Sequence, residues 1–218
     1  IDLTRILSFL ADLRRNNARP WFEVHRSDYE VARDEFARFV DVVIDGVSAF
    51  DDLQGVGARD CIARIYRDVR FSKDKSPYKT NLGAMIAPGG WKTTALGYYV
   101  SLEPAGSSMV VGGLHHPLPE QLARFREAVA TDAAEFRRLT REEAFVSAFG
   151  GIWGEKLKTA PKGYDPAHPD IDLLRLKQVA VIHRFLDEEV TADDFAQRVV
   201  ALCRTMQPFL TYLRDVGD

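Results

Sequence analysis

Four short runs, IARIYRDVRF (62–71), LGAMIA (82–87), LGYYVSL (96–102) and MVVG (109–112), decide the fold of this chain. Each is rich in β-branched and aromatic residues, and Gly or Pro punctuates the gaps between them, as expected of strands. The gaps are too short to hold crossover helices, so the strands are predicted to form an antiparallel meander.

The texture changes on both sides of this block. Upstream, Leu3, Ile6, Leu7, Leu10 and Leu13 recur at helical spacing behind Asp2 and Thr4, either of which can cap, which predicts a helix over about 4–15 ended by Asn16 and Asn17. Pro20 suits the first turn of a second helix, whose apolar stripe (Phe36, Phe39, Val40, Val43, Val47) runs to about Phe50. Residues 51–60 read as a turn-rich connector. Downstream of Pro117, Leu122, Phe125 and Val129, then Phe136 and Leu139, then Phe145, Val146 and Phe149 restore the helical period. The segments 173–185 and 192–213 are predicted to complete a helical C-terminal half, interrupted by the Gly/Pro-rich stretch 161–169. The expected class is α+β, with N-terminal helices, a central, mainly antiparallel meander, and C-terminal helices packed on one face of the sheet.

With 218 residues, the chain suits a single domain spanning 1–218. Folding should remove roughly 72% of its extended surface from water, enough for a core without a disulfide or metal staple. The chain carries 29 basic and 32 acidic residues, a net charge of −3, which excludes a general polyanion binder. Cys61 and Cys203 lie far apart in no paired motif, and read as buried, unlinked thiols of a reducing compartment. No apolar run is long enough for a membrane span and no secretory leader is evident, so a cytoplasmic protein with no membrane role is expected.

Charge is nonetheless concentrated in one place. Arg64, Arg67, Arg70, Lys73, Lys75 and Lys79 against Asp68 and Asp74 give the segment 64–79 a charge of +4 and leave −7 for the rest of the chain. Arginine forks grip phosphate and carboxylate bidentately, and lysines add point charge. The segment is therefore expected to bind an oxyanion through Arg64, Tyr66, Arg67, Arg70, Lys73, Lys75, Tyr78 and Lys79. As a strand, 62–71 places Arg64, Tyr66, Asp68 and Arg70 on a polar face, and Ile65, Arg67, Val69 and Phe71 on an apolar one. Arg67 then requires a carboxylate partner or a β-bulge that turns it outwards. Asp68 and Asp74 are candidates for orienting the arginines, holding a hydrated metal, or acting as a base. The competing reading is a solvated charged hairpin.

Weaker candidates lie elsewhere. Asn16, Asn17, Arg19, Trp21 and Phe22 can border a pocket. The loop 161–169 can cover a site and present Lys158, Lys162 and His168 to an anion. His115 and His116, as strand neighbours, should point to opposite faces, which argues against a shared metal, and no zinc-type spacing is present. His25 and His183 fall in helical patterns. Gly89-Gly90 and Gly112-Gly113 are too sparse for a phosphate loop, and no Walker, dinucleotide or nucleophile-elbow pattern occurs. Neither a metal nor a cofactor is expected.

The order and spacing of Arg64, Arg67, Asp68, Arg70, Phe71, Asp74, Lys75 and Tyr78 resemble the signature of an uncharacterised, mainly bacterial family, domain of unknown function 2461. Asn16-Asn17, Arg19, Trp21-Phe22, Tyr98-Tyr99, Gly112-Gly113, Lys158, Pro161-Lys162-Gly163, His168-Pro169, Leu173-Leu174 and Lys177 extend the resemblance over nearly the whole chain. It implies one domain of this length in the bacterial cytoplasm, and no established activity, so it assigns no catalytic residues. Three functions remain open from sequence: a pocket for a small phosphorylated or carboxylated ligand, nucleic-acid binding through the same basic segment with Tyr66, Phe71 and Tyr78 for stacking, and a non-catalytic module docking an acidic protein or a second copy.

Overall fold

The computed structural model describes residues 1–217. Helix α1 (Leu3–Arg15) starts where the Asp2 carboxylate accepts the Arg5 N–H, and buries Leu3, Ile6, Leu7, Phe9, Leu10 and Leu13. The next apolar stripe belongs to two helices, α2 (Arg19–Val24) and α3 (Arg26–Ser48), rather than one. The break falls at His25, whose backbone leaves the helical region (φ −104°, ψ 21°) while its ring stacks on Trp21 and its Nδ1 meets the Trp21 carbonyl at 2.8 Å. A short α4 (Ala58–Cys61) lies within the predicted connector.

Three of the four predicted runs form the meander, β1 (Leu82–Ile86), β2 (Tyr98–Leu102) and β3 (Ser108–Leu114), with a 3₁₀ turn at Gly90–Lys92, while 62–71 does not join it as a continuous strand. The sheet order is β1-β2-β3-β4, and the fourth strand, β4 (Val179–Phe185), overturns the expectation of helix over 173–185. Only Ile171–Leu174 is helical there. Leu173 and Leu174 supply the helical spacing, but the run Val179-Ala-Val-Ile is the β-branched pattern of a buried strand. Among the described residues six further helices complete the elements: α5 (Pro119–Thr131), α6 (Ala134–Arg141), α7 (Glu143–Phe149), α8 (Ile171–Leu174) and, after β4, α9 (Asp187–Val190) and a long α10 (Phe195–Gly217). The strands are buried along most of their length, and α3 and α4 pack against β1. The α+β class with helices flanking a central antiparallel sheet therefore holds.

Chain contacts divide the protein into two compact units. The first comprises Ile1–Thr94, Tyr99–Val110 and Arg184–Ala201. Its core sets α1 against α3, with Phe39 stacked on Phe195 at 5.5 Å and Phe185 edge-on to Phe195 at 4.9 Å. The second comprises Ala95–Tyr98, Val111–His183 and the chain from Leu202 onward. Phe125 meets Phe136 at 5.1 Å there, and Phe136 and Phe145 both meet Phe209. Gly112 and Gly113 serve this packing: a Cβ on Gly112 would lie 2.1 Å from the Met206 sulfur, and Gly113 holds φ +100° against Val179. Cys61 and Cys203 are buried, and burial pushes the Cys61 thiol up to about 11. Among the described residues no helix is long and apolar enough to cross a membrane.

Candidate functional site

The charged segment belongs to the first unit and leaves the sheet at β1. Ile62 bridges Ala84, and the Ala63 N–H donates to the Gly83 carbonyl at 2.9 Å. Further along, Lys79 N–H donates to Ile65 O, Arg67 N–H donates to Pro77 O, and Tyr66 pairs with Tyr78. Residues 62–79 are thus a loose hairpin held by isolated bridges, which corrects the expectation of a continuous strand over 62–71.

Side chains end the ladder. The Asp68 carboxylate takes the Arg70 N–H at 3.2 Å, and Asp74 takes the Ser76 N–H at 2.9 Å together with the Ser76 hydroxyl. Such Asx contacts divert backbone donors from strand pairing, and Pro77 has no donor to offer. The predicted alternation nonetheless survives from 63 to 70: Ala63 and Ile65 are buried, Arg67 and Val69 half-buried, and Arg64, Tyr66, Asp68 and Arg70 exposed. It fails at Phe71, predicted on the apolar face but 97% exposed at the tip, where the chain has already turned.

Arg67 has the carboxylate partner that its position demanded, and the partner is Asp74. Arg67 also donates to Ser76 O at 3.2 Å and reaches the Ser72 hydroxyl, so it braces the tip from within. Its side chain is 26% exposed. Lys75 donates one N–H to the Val69 carbonyl at 2.9 Å. Arg70 forks onto Asp68 at 2.6–3.2 Å. The hydrogen bonds from Ser76, reinforced by Arg67, hold the Asp74 carboxyl down to about 2, and the Arg70 fork lowers Asp68. Both candidate catalytic acids are therefore ionised, paired acceptors at neutral pH, poorly suited to giving or taking a proton.

The opposite wall comes from the N-terminal helices. The Asn17 side chain acts as a strand neighbour for Tyr78, donating to its carbonyl at 2.9 Å and accepting its N–H at 3.1 Å. Phe22 stacks on Tyr78 at 4.0 Å. Between α2 and the hairpin lies an open cleft of about 710 Å³, lined by Asn17, Ala18, Arg19 and Glu23 on one side and by Tyr66, Arg67, Val69, Lys75, Ser76, Pro77 and Tyr78 on the other. Two groups of candidates from distant parts of the sequence thus meet in one site.

The cleft includes only part of the predicted constellation. Tyr66, Arg67, Lys75 and Tyr78 line it, whereas Arg64, Arg70, Lys73 and Lys79 do not. Lys79 instead lies 5.1 Å over the Trp91 ring, where burial and the nearby Arg64 lower its pKa. Phe22 is core, Trp21 stacks on His25, and Asn16 caps α1 through the Asp12 carbonyl, so of the N-terminal group only Asn17 and Arg19 reach the cleft. Glu23 was not foreseen. Its forked ion pair with Arg26, three residues on, was the available signal, and Glu23 and the Tyr66 hydroxyl together raise the Arg26 pKa.

In the second unit the loop 161–169 is held at its C-terminal end through His168. His168 Nδ1 accepts the Asp170 N–H, and its Nε2 faces the Ala130 carbonyl at 3.4 Å. His115 and His116 meet edge-to-face at 4.2 Å instead of diverging, because β3 ends at Leu114 and both lie in the following turn. His115 stacks on Trp153, and burial lowers its pKa. His183 is on β4, not a helix, with Nδ1 2.6 Å from the Ala148 carbonyl. Among the described residues no group of three or more His, Cys, Asp or Glu side chains is placed to hold a metal ion.

The family model described as a conserved hypothetical protein (DUF2461) matches residues 5–212. The chain belongs to this family. The match takes in both walls of the cleft, so in this DUF2461 protein the helix α2 and the hairpin 62–79 both fall within the family region. No curated protein and no solved structure matches the DUF2461 chain.

Proposed function

We propose that the cleft between α2 and the hairpin binds a small oxyanion, a phosphorylated metabolite in preference to a carboxylate. The observation that carries this reading is the convergence of Arg19 from α2 with Arg67 and Lys75 from the hairpin on one cleft, beside the Asn17 side-chain amide. Arg67 is fixed by Asp74 and Ser76 before any ligand arrives, and a preorganised cation binds at lower entropic cost. Lys75 uses one of its three donors on Val69, leaving two for an incoming oxygen. A cleft of about 710 Å³ also falls in the range of small-molecule sites.

A thermal-shift series with inorganic phosphate, sugar phosphates and nucleotides tests the reading. A true ligand at 100 times its dissociation constant adds about 2.7 kcal/mol of stability. Arg19→Ala and Lys75→Ala should abolish that shift. If no anion moves the melting temperature, or if the variants respond like the parent, the cleft is not an anion site.

The outer side of the hairpin supports a second reading. Phe71 is 97% exposed, the Arg70 guanidinium lies 5.9 Å from its ring, and Lys73 is exposed beside it. An open aromatic among cations suits stacking on single-stranded nucleic acid. Binding to a labelled oligonucleotide should then weaken steeply with salt and fail in Phe71→Ala. Weak binding that ignores salt would exclude it.

A further inference from the structure

We infer that the ligand of this cleft is a nucleoside monophosphate whose base stacks on Tyr66, an inference that rests on the oxyanion reading above. Three features of the lining go beyond a site for phosphate alone. The first is Tyr66, which lines the cleft with 47% of its surface exposed. It leans on Tyr78 at 5.5 Å, and the 2% exposed Tyr78 is in turn stacked on fully buried Phe22 at 4.0 Å. The open ring thus stands on a fixed aromatic base, the form of platform on which nucleobases stack.

The second feature is Glu23. A carboxylate in the wall repels a second anionic group, but it accepts hydrogen bonds from the ring N–H and amino groups of a base edge. Arg26 holds it in place by a fork, Nε on Oε2 at 3.1 Å and Nη2 on Oε1, taking one contact on each oxygen. A carboxylate offers about four lone-pair sites, so each oxygen retains one for a ligand donor.

The third is the charge. Counting the lining residues and their direct ion-pair partners, Arg19, Arg26, Arg67 and Lys75 oppose Glu23 and Asp74, four cations against two anions, for a surplus of +2. A phosphate monoester carries about −1.5 to −2 at neutral pH and matches that surplus, whereas a di- or triphosphate exceeds it. Anion donors, an open ring and a carboxylate acceptor in one cleft correspond to the three parts of a nucleotide: phosphate, base face and base edge.

Calorimetric titration of the full chain with AMP, GMP, ribose 5-phosphate and inorganic phosphate decides the matter. The nucleotides should bind at least about tenfold more tightly than ribose 5-phosphate, the increment of one stacked base. Tyr66→Leu should bring the nucleotides down to the level of ribose 5-phosphate and leave ribose 5-phosphate itself unchanged. Tyr66→Phe, which keeps the ring, should retain the preference and guards against a merely misfolded hairpin. Lys75→Ala should weaken all four. Ribose 5-phosphate or phosphate binding as tightly as AMP overturns this inference and leaves the anion reading standing. Binding by none of the four removes both. A single-stranded oligonucleotide bound while AMP and GMP are not also overturns it, in favour of a polymer on the hairpin.

Discussion

The hairpin 62–79 and the stretch 153–177 each follow a helix and lead towards a sheet strand, β1 and β4, yet the cations in and around them have opposite fates. Around the second stretch, arginines of the stretch itself and of α5 and α6 are absorbed by the fold. Arg175 donates to the carbonyls of Leu157 and Lys158, Arg126 donates to those of Leu174 and Leu176, and Arg137 joins Asp170 and Asp172. Short ladder contacts, Lys177 N–H to Glu155 O and Leu157 N–H to Arg175 O, close the two ends of the segment on each other. In the hairpin the ladder stops at Tyr66–Tyr78, ion pairing is confined to residues of the tip, and Arg19 and Lys75 face a solvent-open cleft. A basic segment becomes a candidate site where the backbone leaves cations over, and becomes scaffold where unpaired carbonyls consume them.

Substitutions can break this contrast. The largest effect is expected from Arg137→Ala, because Asp170, with 18% of its side chain exposed, would lose its cation while half-buried. A loss of about 2–3 kcal/mol is expected by chemical denaturation. A change below about 0.5 kcal/mol would show that the arginines packed around this stretch are as dispensable as ordinary surface residues. Asn17→Ala comes next. It leaves both backbone groups of the buried Tyr78 without a partner and should cost about 1–3 kcal/mol. It should also weaken phosphate binding, since it releases the hairpin from α2; intact binding in a destabilised variant would separate hairpin anchoring from the cleft.

A pH titration sharpens the account of the tip. Asp74 has its folded pKa near 2, below the ordinary 3.8, so its contribution is fully present above about pH 4 and is lost as the pH falls towards 2. Exchange of the Ser76 amide, which donates to Asp74, should accelerate across that window and stay flat from pH 4 to 7 after correction for intrinsic rates. Flat exchange down to pH 2 would mean that Asp74 does not close the loop. The smallest effect belongs to Arg70→Ala. Its fork on Asp68 is solvent-exposed, and such pairs contribute little, so the melting temperature should not move measurably.

How far the sequence disclosed these regions follows from the range of the interactions involved. The meander was readable because β1 to β3 follow one another through connections too short for a crossover helix and are apolar runs set off by Gly and Pro. The pairing of Arg67 was readable from alternation alone, and its partner lies seven residues away. The fourth strand was not readable, because Leu173 and Leu174 of α8 run into it and extend a helical period over residues whose pairing partner is β3, far upstream. The cleft was only half readable. Arg67 and Lys75 announced themselves by charge, but Asn17 is 61 residues from the Tyr78 it clasps, and nothing in its local pattern shows that contact.

The distant fourth strand also sets an order of assembly. Strands β1, β2 and β3 form from neighbours in the chain, but β4 joins β3 only after residues 115–178, with four helices among them, have been brought round. Loop closure over such a span is entropically unfavourable until helix packing shortens the effective tether, so the sheet's last ladder is its kinetic bottleneck. Pulsed hydrogen exchange during refolding should protect Val100 before Val181; simultaneous protection would mean that the sheet closes in one step. The ribosome imposes the same sequence of events, because a nascent chain can complete the meander while β4 has yet to emerge.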